Sequence, residues 1–273
     1  MKRIGLTLGG GGARGFAHIP FLQAFDDLGI KPSIISGTSI GAILGALYAS
    51  GCSARDIINM VHDLDLLSIS KLMDLNILNI RGLVKGRGIE SFLSKQLKAK
   101  TFEDLDIPLK IIATDFWDQT EVVIDEGDLV HAIRASISIP AIFEAVKKQE
   151  HVFVDGGISN PVPYDIIRDQ CDILIAVDVS GAVTIPGDRP VPNLFENIMI
   201  SNQILQKSIL VNKLQVSRPD FLLTPRLEGF RILDFEKADE IIASAALEAV
   251  KFKKELKQQL STRKLFSFFK SRK

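Results

Sequence analysis

Apolar positions along this chain fall into short unbroken runs that alternate with stretches of helical spacing. Residues 3–8 form an apolar run that ends in glycines, which predicts a buried strand. Residues 13–28 then place Phe16, Ile19, Phe21, Leu22, Phe25 and Leu28 at helical spacing, with Gly29 as the C-cap. A second strand is expected at 33–36 and a helix at 40–50, closed by Gly51. Ser53 and Asp56 have the spacing of a capping box, opening a helix to about residue 66. The pattern weakens over 68–88, where Gly82, Gly86 and Gly88 mark loops, and becomes helical again at 88–97. Strands are expected at 108–114, 121–124 and 152–154, with a helix at 128–135 between the last two and a hairpin turn at 147–150. The run at 172–179 is the clearest buried strand in the chain. A helix at 194–215, a strand at 221–223 and a helix at 235–260 complete the pattern. Apolar strands alternating with helices predict an α/β fold, a mostly parallel sheet covered on both faces.

Composition narrows this little: 273 residues, 46% hydrophobic and 24% charged, fit one ordinary globular domain with a large core. Charge adds more. The chain is neutral overall, yet residues 251–273 carry nine Lys or Arg against the single acid Glu255, a segment charge of +8 that leaves −8 on the first 250 residues. We therefore divide the chain into a body, 1–260, and a basic tail, 261–273. The tail mixes its cations with Phe266, Phe268 and Phe269, the chemistry either of a segment that lies on an anionic membrane or of a frayed, disordered C-terminus. Cys52 and Cys171 stand far apart with no metal-ligand spacing, which suits a reducing compartment and implies no metal. The basic start precedes only about five apolar residues, short of the roughly 7–15 of a signal peptide, so a cytoplasmic location is expected. Residues 34–52 lack charge, but their Gly and Ser content reads as strand, turn and helix rather than a membrane span.

Candidate chemistry begins at Gly37-Thr38-Ser39-Ile40-Gly41, a serine between glycines at a strand-to-helix turn, which presents a nucleophile. One βα unit earlier, Gly9–Gly12 with Gly15 follows a strand and opens a helix. Gly10, Gly12 and Gly15 satisfy G-x-G-x-x-G, yet the second strand ends without the acidic residue that a dinucleotide site requires. No Gly-Lys-Ser/Thr follows either, so a P-loop is excluded. The glycines either make a tight turn or aim amides at an anion, which for a serine nucleophile is the tetrahedral oxyanion. No nucleotide cofactor and no nucleic-acid partner is implied.

A serine needs a base. His62, His131 and His151 follow Ser39 in the chain, but none lies in a loop after a late strand, where a triad histidine belongs. His18, four residues from Arg14, is expected to brace the glycine loop. Asp155-Gly156-Gly157 follows a strand, and Asp155 either caps an Asx turn or accepts the proton of Ser39.

Gly10-Gly11-Gly12-Ala13-Arg14-Gly15, Gly37-Thr38-Ser39-Ile40-Gly41 and Asp155-Gly156-Gly157, in this order, resemble the patatin-like phospholipases. The resemblance extends to residues 82–86, to Ala135–Phe143 and to Asp178, and covers roughly residues 3–250, most closely in the manner of short single-domain bacterial members. It implies a three-layer α/β/α sandwich and hydrolysis of lipid acyl esters by a Ser–Asp dyad without histidine. Ser39 then matches the nucleophile and Asp155 the base. Gly10, Gly11 and Gly12 with Arg14 match the oxyanion hole, and Gly15, Gly37, Gly41, Gly156 and Gly157 are motif glycines. The expected partner is a lipid or fatty-acyl ester, with no cofactor. Two alternatives share the pocket: acyl transfer to another alcohol, and a lipid-sensing adaptor without catalysis. Pro20 departs from the family pattern, and inside a helix over 13–28 it is expected to remove a hydrogen bond and kink the helix.

Overall fold

A computed structural model describes residues 2–63, 84–181 and 191–270, with side chains to residue 261. Eight strands form one sheet: β1 (Ile4–Leu8), β2 (Ile34–Thr38), β3 (Leu109–Asp115), β4 (Thr120–Ile124), β5 (Val146–Lys148), β6 (His151–Asp155), β7 (Ile173–Val177) and β8 (Phe221–Leu223). Their order is β5-β6-β3-β2-β1-β7-β8, with β4 paired to β3 off this path. The half from β3 to β8 is parallel, while β4 and β6 run antiparallel to β3 and β5 closes a hairpin on β6.

Among the described residues the α-helices are α1 (Ile19–Leu28), α2 (Ile40–Ala49), α3 (Ala54–His62), α4 (Arg87–Gln96), α5 (Leu129–Ser136), α6 (Leu194–Val216) and α7 (Ala238–Lys270). They cover both faces of the sheet, and β7 shows how one strand serves both. Ile173, Ile175 and Val177 join the larger core with Phe21 and Phe25 of α1 and Leu44 of α2, while Leu174 and Ala176 join the smaller core with Leu210 of α6. That alternation is the two-residue period of a strand buried on both faces.

The capping box forms as expected: Ser53 accepts from the Asp56 amide and Asp56 accepts from the Ser53 amide. The apolar run 34–52 is β2, the turn at Ser39 and α2. Among the described residues no helix is long and apolar enough to cross a membrane. Cys52 and Cys171 are free and buried. The expected end of the third helix at 64–66, and the loop residues Gly82 and Leu83, lie outside the described residues.

Pro20 requires a correction. The expected helix over 13–28 is two elements, a 3-10 stretch Gly12–His18 followed by α1, and Pro20 occupies the first turn of α1. First-turn amides have no partner within a helix, so the missing N–H of proline removes no bond and kinks nothing. The final helix also differs from expectation: a 3-10 turn Phe235–Lys237 precedes it, and its backbone continues to Lys270 rather than stopping near 260.

Candidate active site

The site is built along one edge of β3. Both β2 and β4 pair with Ile111 and Ile112, so they must occupy opposite edges of β3. Both β4 and β6 pair with Ala113 to Asp115, so they too are on opposite edges. β2 and β6 therefore share an edge. β2 runs out at Thr38, opposite Ile112, and the antiparallel β6 ends at Asp155, opposite Ala113. The next residue after β2 is Ser39, and it meets Asp155 head to head.

Ser39 holds φ 55° and ψ −123°, a left-handed conformation that costs a non-glycine residue about 1–3 kcal/mol. Its neighbours allow the tight turn because they lack side chains. A Cβ on Gly41 would collide with the Leu8 carbonyl oxygen, and one on Gly37 would stand 2.6 Å from the Gly41 carbonyl oxygen. The Ser39 N–H donates to Ser136 Oγ at 2.9 Å, and the Ser39 carbonyl accepts from Ala42 at the start of α2.

Ser39 Oγ donates to Asp155 Oδ2 at 2.7 Å, and the Gly157 N–H donates to Asp155 Oδ1 at 2.7 Å. The Asx turn and the contact with Ser39 thus coexist on different oxygens of one carboxylate. The Asp155 backbone is held by Ser138 O and by Thr114 Oγ1. Gly156 passes so close to the Ile112 carbonyl that any side chain there would clash. Asp155 is 4% exposed. Burial raises its pKa from 3.8 to about 6, against the lowering effect of its bonds from Ser39 and Gly157.

The glycine loop packs beside Ser39: a Cβ on Gly10 would lie 3.4 Å from Ser39 Cβ. The Gly9 N–H donates to Val177 O, the Gly10 N–H to Pro161 O and the Ala13 N–H to Ile232 O. Gly11 and Gly12 are the loop residues whose N–H groups find no acceptor among the described residues. The Gly10 amide, expected in an anion-holding set, is already engaged. Arg14 is buried, and its guanidinium donates to Phe230 O and Ser180 O, tying the loop to two neighbouring segments. Asp178 shapes one of these, accepting from the Ser180 N–H at 2.9 Å.

Ser39 and Gly12 form part of the wall of a cavity of about 590 Å³. The remaining wall is largely apolar, with Ile40, Leu44, Leu47, Phe92, Phe143 and Phe235 among its residues.

None of the histidines touches Ser39 or Asp155. His62 pairs with Asp239 at 2.7 Å, on the cavity wall; His151 pairs with the buried Asp115 at 2.6 Å; His18 meets Gly9 O; and His131 Nε2 is buried without a partner among the described residues. Asp115, Asp118 and His151 bring ligand-type atoms within 4.8 Å of one another, but Asp115 is already engaged by His151 and by the Trp117 and Asp118 amides. Ser136 is the residue that the motifs did not single out by role. Its signal was present in the small polar string Ala135-Ser136-Ile137-Ser138, though nothing in the string says which hydroxyl faces Ser39.

A patatin-like phospholipase family model matches residues 6–168, more than half of the chain and a span containing both Ser39 and Asp155. The chain belongs to the patatin-like phospholipase family. Among its relatives, patatin-like phospholipase domain-containing protein 7 of Rattus norvegicus is 33% identical over 265 residues, which cover 87% of this chain and 20% of the rat protein. An uncharacterized NTE family protein of Mycobacterium bovis is 33% identical over 193 residues, covering 70% of this chain and 53% of that protein. The chain thus spans from a fifth to about half the length of these relatives. In fold it is similar to VipD from Legionella pneumophila, with a TM-score of 0.56 at 12% identity over 93% of this chain and 67% of that one.

Proposed function

We propose that this member of the patatin-like family is a serine acyl hydrolase that cleaves lipid acyl esters with Ser39 as nucleophile and Asp155 as its base. The observation that carries the reading is the 2.7 Å hydrogen bond from Ser39 Oγ to a carboxylate buried deeply enough to hold its proton affinity near neutrality. Asp155 Oδ2 takes the hydroxyl proton as Ser39 Oγ attacks the ester carbon. The carbonyl oxygen becomes an oxyanion, for which the Gly11 and Gly12 N–H groups are the open donors. Asp155 returns the proton to the leaving alcohol. Water then attacks the acyl-Ser39 ester, giving its proton to Asp155, and the fatty acid leaves with Ser39 restored. The apolar cavity beside Ser39 receives the acyl chain, each buried methylene contributing about 0.8 kcal/mol.

In this reading the catalytic domain occupies 1–260, and the basic tail 261–273 brings it to an anionic membrane surface from the cytoplasm, where Cys52 and Cys171 remain thiols. A fluorophosphonate should label the chain at Ser39, and Ser39→Ala should abolish both labelling and p-nitrophenyl ester hydrolysis. Labelling at another residue, or unchanged turnover in Ser39→Ala, overturns the proposal.

A further inference from the structure

His18 ends the 3-10 stretch behind the glycine loop and is completely buried. Its Nε2 lies 2.9 Å from the Gly9 carbonyl oxygen, which can only accept, so Nε2 carries the hydrogen. Nδ1 then faces the interior as a lone pair without a partner among the described residues. Protonation would bury a second N–H with no acceptor, and burial lowers the pKa to about 4, so the ring is neutral at ordinary pH.

The Gly9 carbonyl and the Gly10 N–H are the two polar ends of one peptide unit. His18 holds the first end and Pro161 O the second, at 2.9 Å each. The same carbonyl packs against Gly41, where a Cβ would stand 2.8 Å from it. This peptide plane is therefore fixed from three sides. Four consecutive glycines have little conformational preference of their own, so the direction of the following amides depends on such external holds. The next two N–H groups, at Gly11 and Gly12, are unengaged among the described residues, and Gly12 shares the cavity wall with Ser39.

We propose that His18 is a positioning residue for the oxyanion loop: its hydrogen bond to Gly9 sets the plane from which the Gly11 and Gly12 N–H groups are aimed. The inference rests on the hydrolase reading above. It assigns to a buried histidine a role in catalysis without proton transfer.

The test compares two amide side chains that differ in reach. In His18→Gln the amide nitrogen extends as far as Nε2 and restores the donor. In His18→Asn it is one methylene too short, while the loss of the ring is shared. Hydrolysis of p-nitrophenyl butyrate is measured alongside thermal melting. The expected result is a His18→Gln kcat within about fivefold of the parent and a His18→Asn kcat lower by about 10- to 100-fold, with KM within twofold for both. That loss is below the 10²–10³ of deleting an oxyanion donor outright, because the donors are misaimed and not removed. Equal kcat in the two folded variants, or a loss confined to KM, overturns the inference. Where His18→Asn does not fold, His18→Gln is read alone: parent-like kcat sustains the inference, and a tenfold loss at parent KM overturns it. A parent chain that neither turns over the ester nor labels at Ser39 sinks the hydrolase reading itself. An active, labelled parent with indistinguishable variants sinks only the role of His18.

Discussion

Asp155→Asn should stabilise the folded protein while disabling it, and the stabilisation should depend on pH. The buried carboxyl has a pKa of about 6 in the fold against 3.8 in the unfolded chain. A folded value above the unfolded one means that the native state favours the proton. The associated stability is fully present below pH 3.8 and is lost as pH rises through about 6. Above that range the ionised carboxylate costs the fold about 3 kcal/mol, at 1.36 kcal/mol per unit of pKa difference. At pH 4.5 the same linkage leaves a cost of about 1 kcal/mol. Asparagine keeps the shape, accepts the Gly157 N–H on Oδ1 and presents an amide to Ser39 Oγ, so both hydrogen bonds survive in altered polarity. The free-energy gap between variant and parent, from urea denaturation, should therefore grow by about 2 kcal/mol between pH 4.5 and pH 8. The same group should govern kcat/KM of the parent, which should fall about tenfold per pH unit below a midpoint near 6 as the base is protonated. The variant should lose 10²–10⁴ in turnover, the usual span of general-base catalysis. A stability gap that is flat with pH, or a kcat/KM midpoint near 4, refutes the reasoning, because either would mean that burial does not dominate at Asp155.

Three further outcomes follow from the geometry. Gly41→Ala should fold poorly or melt well below the parent, since its Cβ collides with the Leu8 carbonyl oxygen; an unchanged melting curve contradicts the close approach of α2 to β1. His131→Ala and His151→Ala should keep p-nitrophenyl ester hydrolysis within a few-fold of the parent, and a loss as complete as that of Ser39→Ala in either would require a histidine base. Deleting residues 262–273 should weaken binding to anionic vesicles at low salt and spare hydrolysis of a soluble ester; unchanged vesicle affinity contradicts the membrane role of the tail.

The sequence exposed those features that depend on short-range chemistry. The strand-turn-helix around Ser39 was legible because a serine between glycines at a strand end is a local signature, although Gly41 is required by the distant Leu8 carbonyl, and the buried strand β7 because its apolar run is unbroken. The split of the first helix was not legible. Phe16, Ile19, Leu22 and Phe25 recur every three residues, a spacing that serves a 3-10 turn as well as an α-helix, so Pro20 reads as interior although it lies in the first turn of the second element. The direction of the Asp155 pKa was also hidden, because burial and amide donors oppose each other and their balance depends on packing. That balance raises the Asp155 carboxyl to about 6, close to the range of a histidine. Activity on the acid side of an imidazole is therefore a weak discriminator between the two bases, and substitution is the stronger one. Which loop amides stay open was equally unreadable, since Pro161 O and Ile232 O arrive from distant parts of the chain.

The placement of Ser39 and Asp155 is a matter of strand register more than of loop conformation. A parallel and an antiparallel strand take successive portions of one β3 edge, so the residue leaving β2 and the last residue of β6 converge from opposite directions. Each residue of strand advances about 3.3 Å and reverses the side-chain face. A slip of one residue in the pairing of Thr38 with Ile112, or of Asp155 with Ala113, would exceed the 2.7 Å contact itself and turn a side chain to the other face of the sheet. The hydrogen-bond ladder of β3 thus performs the alignment that a third side chain performs in a triad, where a carboxylate orients the histidine. In the proposed dyad, a base that is itself the end of a strand needs no such orienting partner. Its carboxylate is already held by the Gly157 amide, its backbone by Thr114 and Ser138, and two residues suffice where a mobile imidazole would need three.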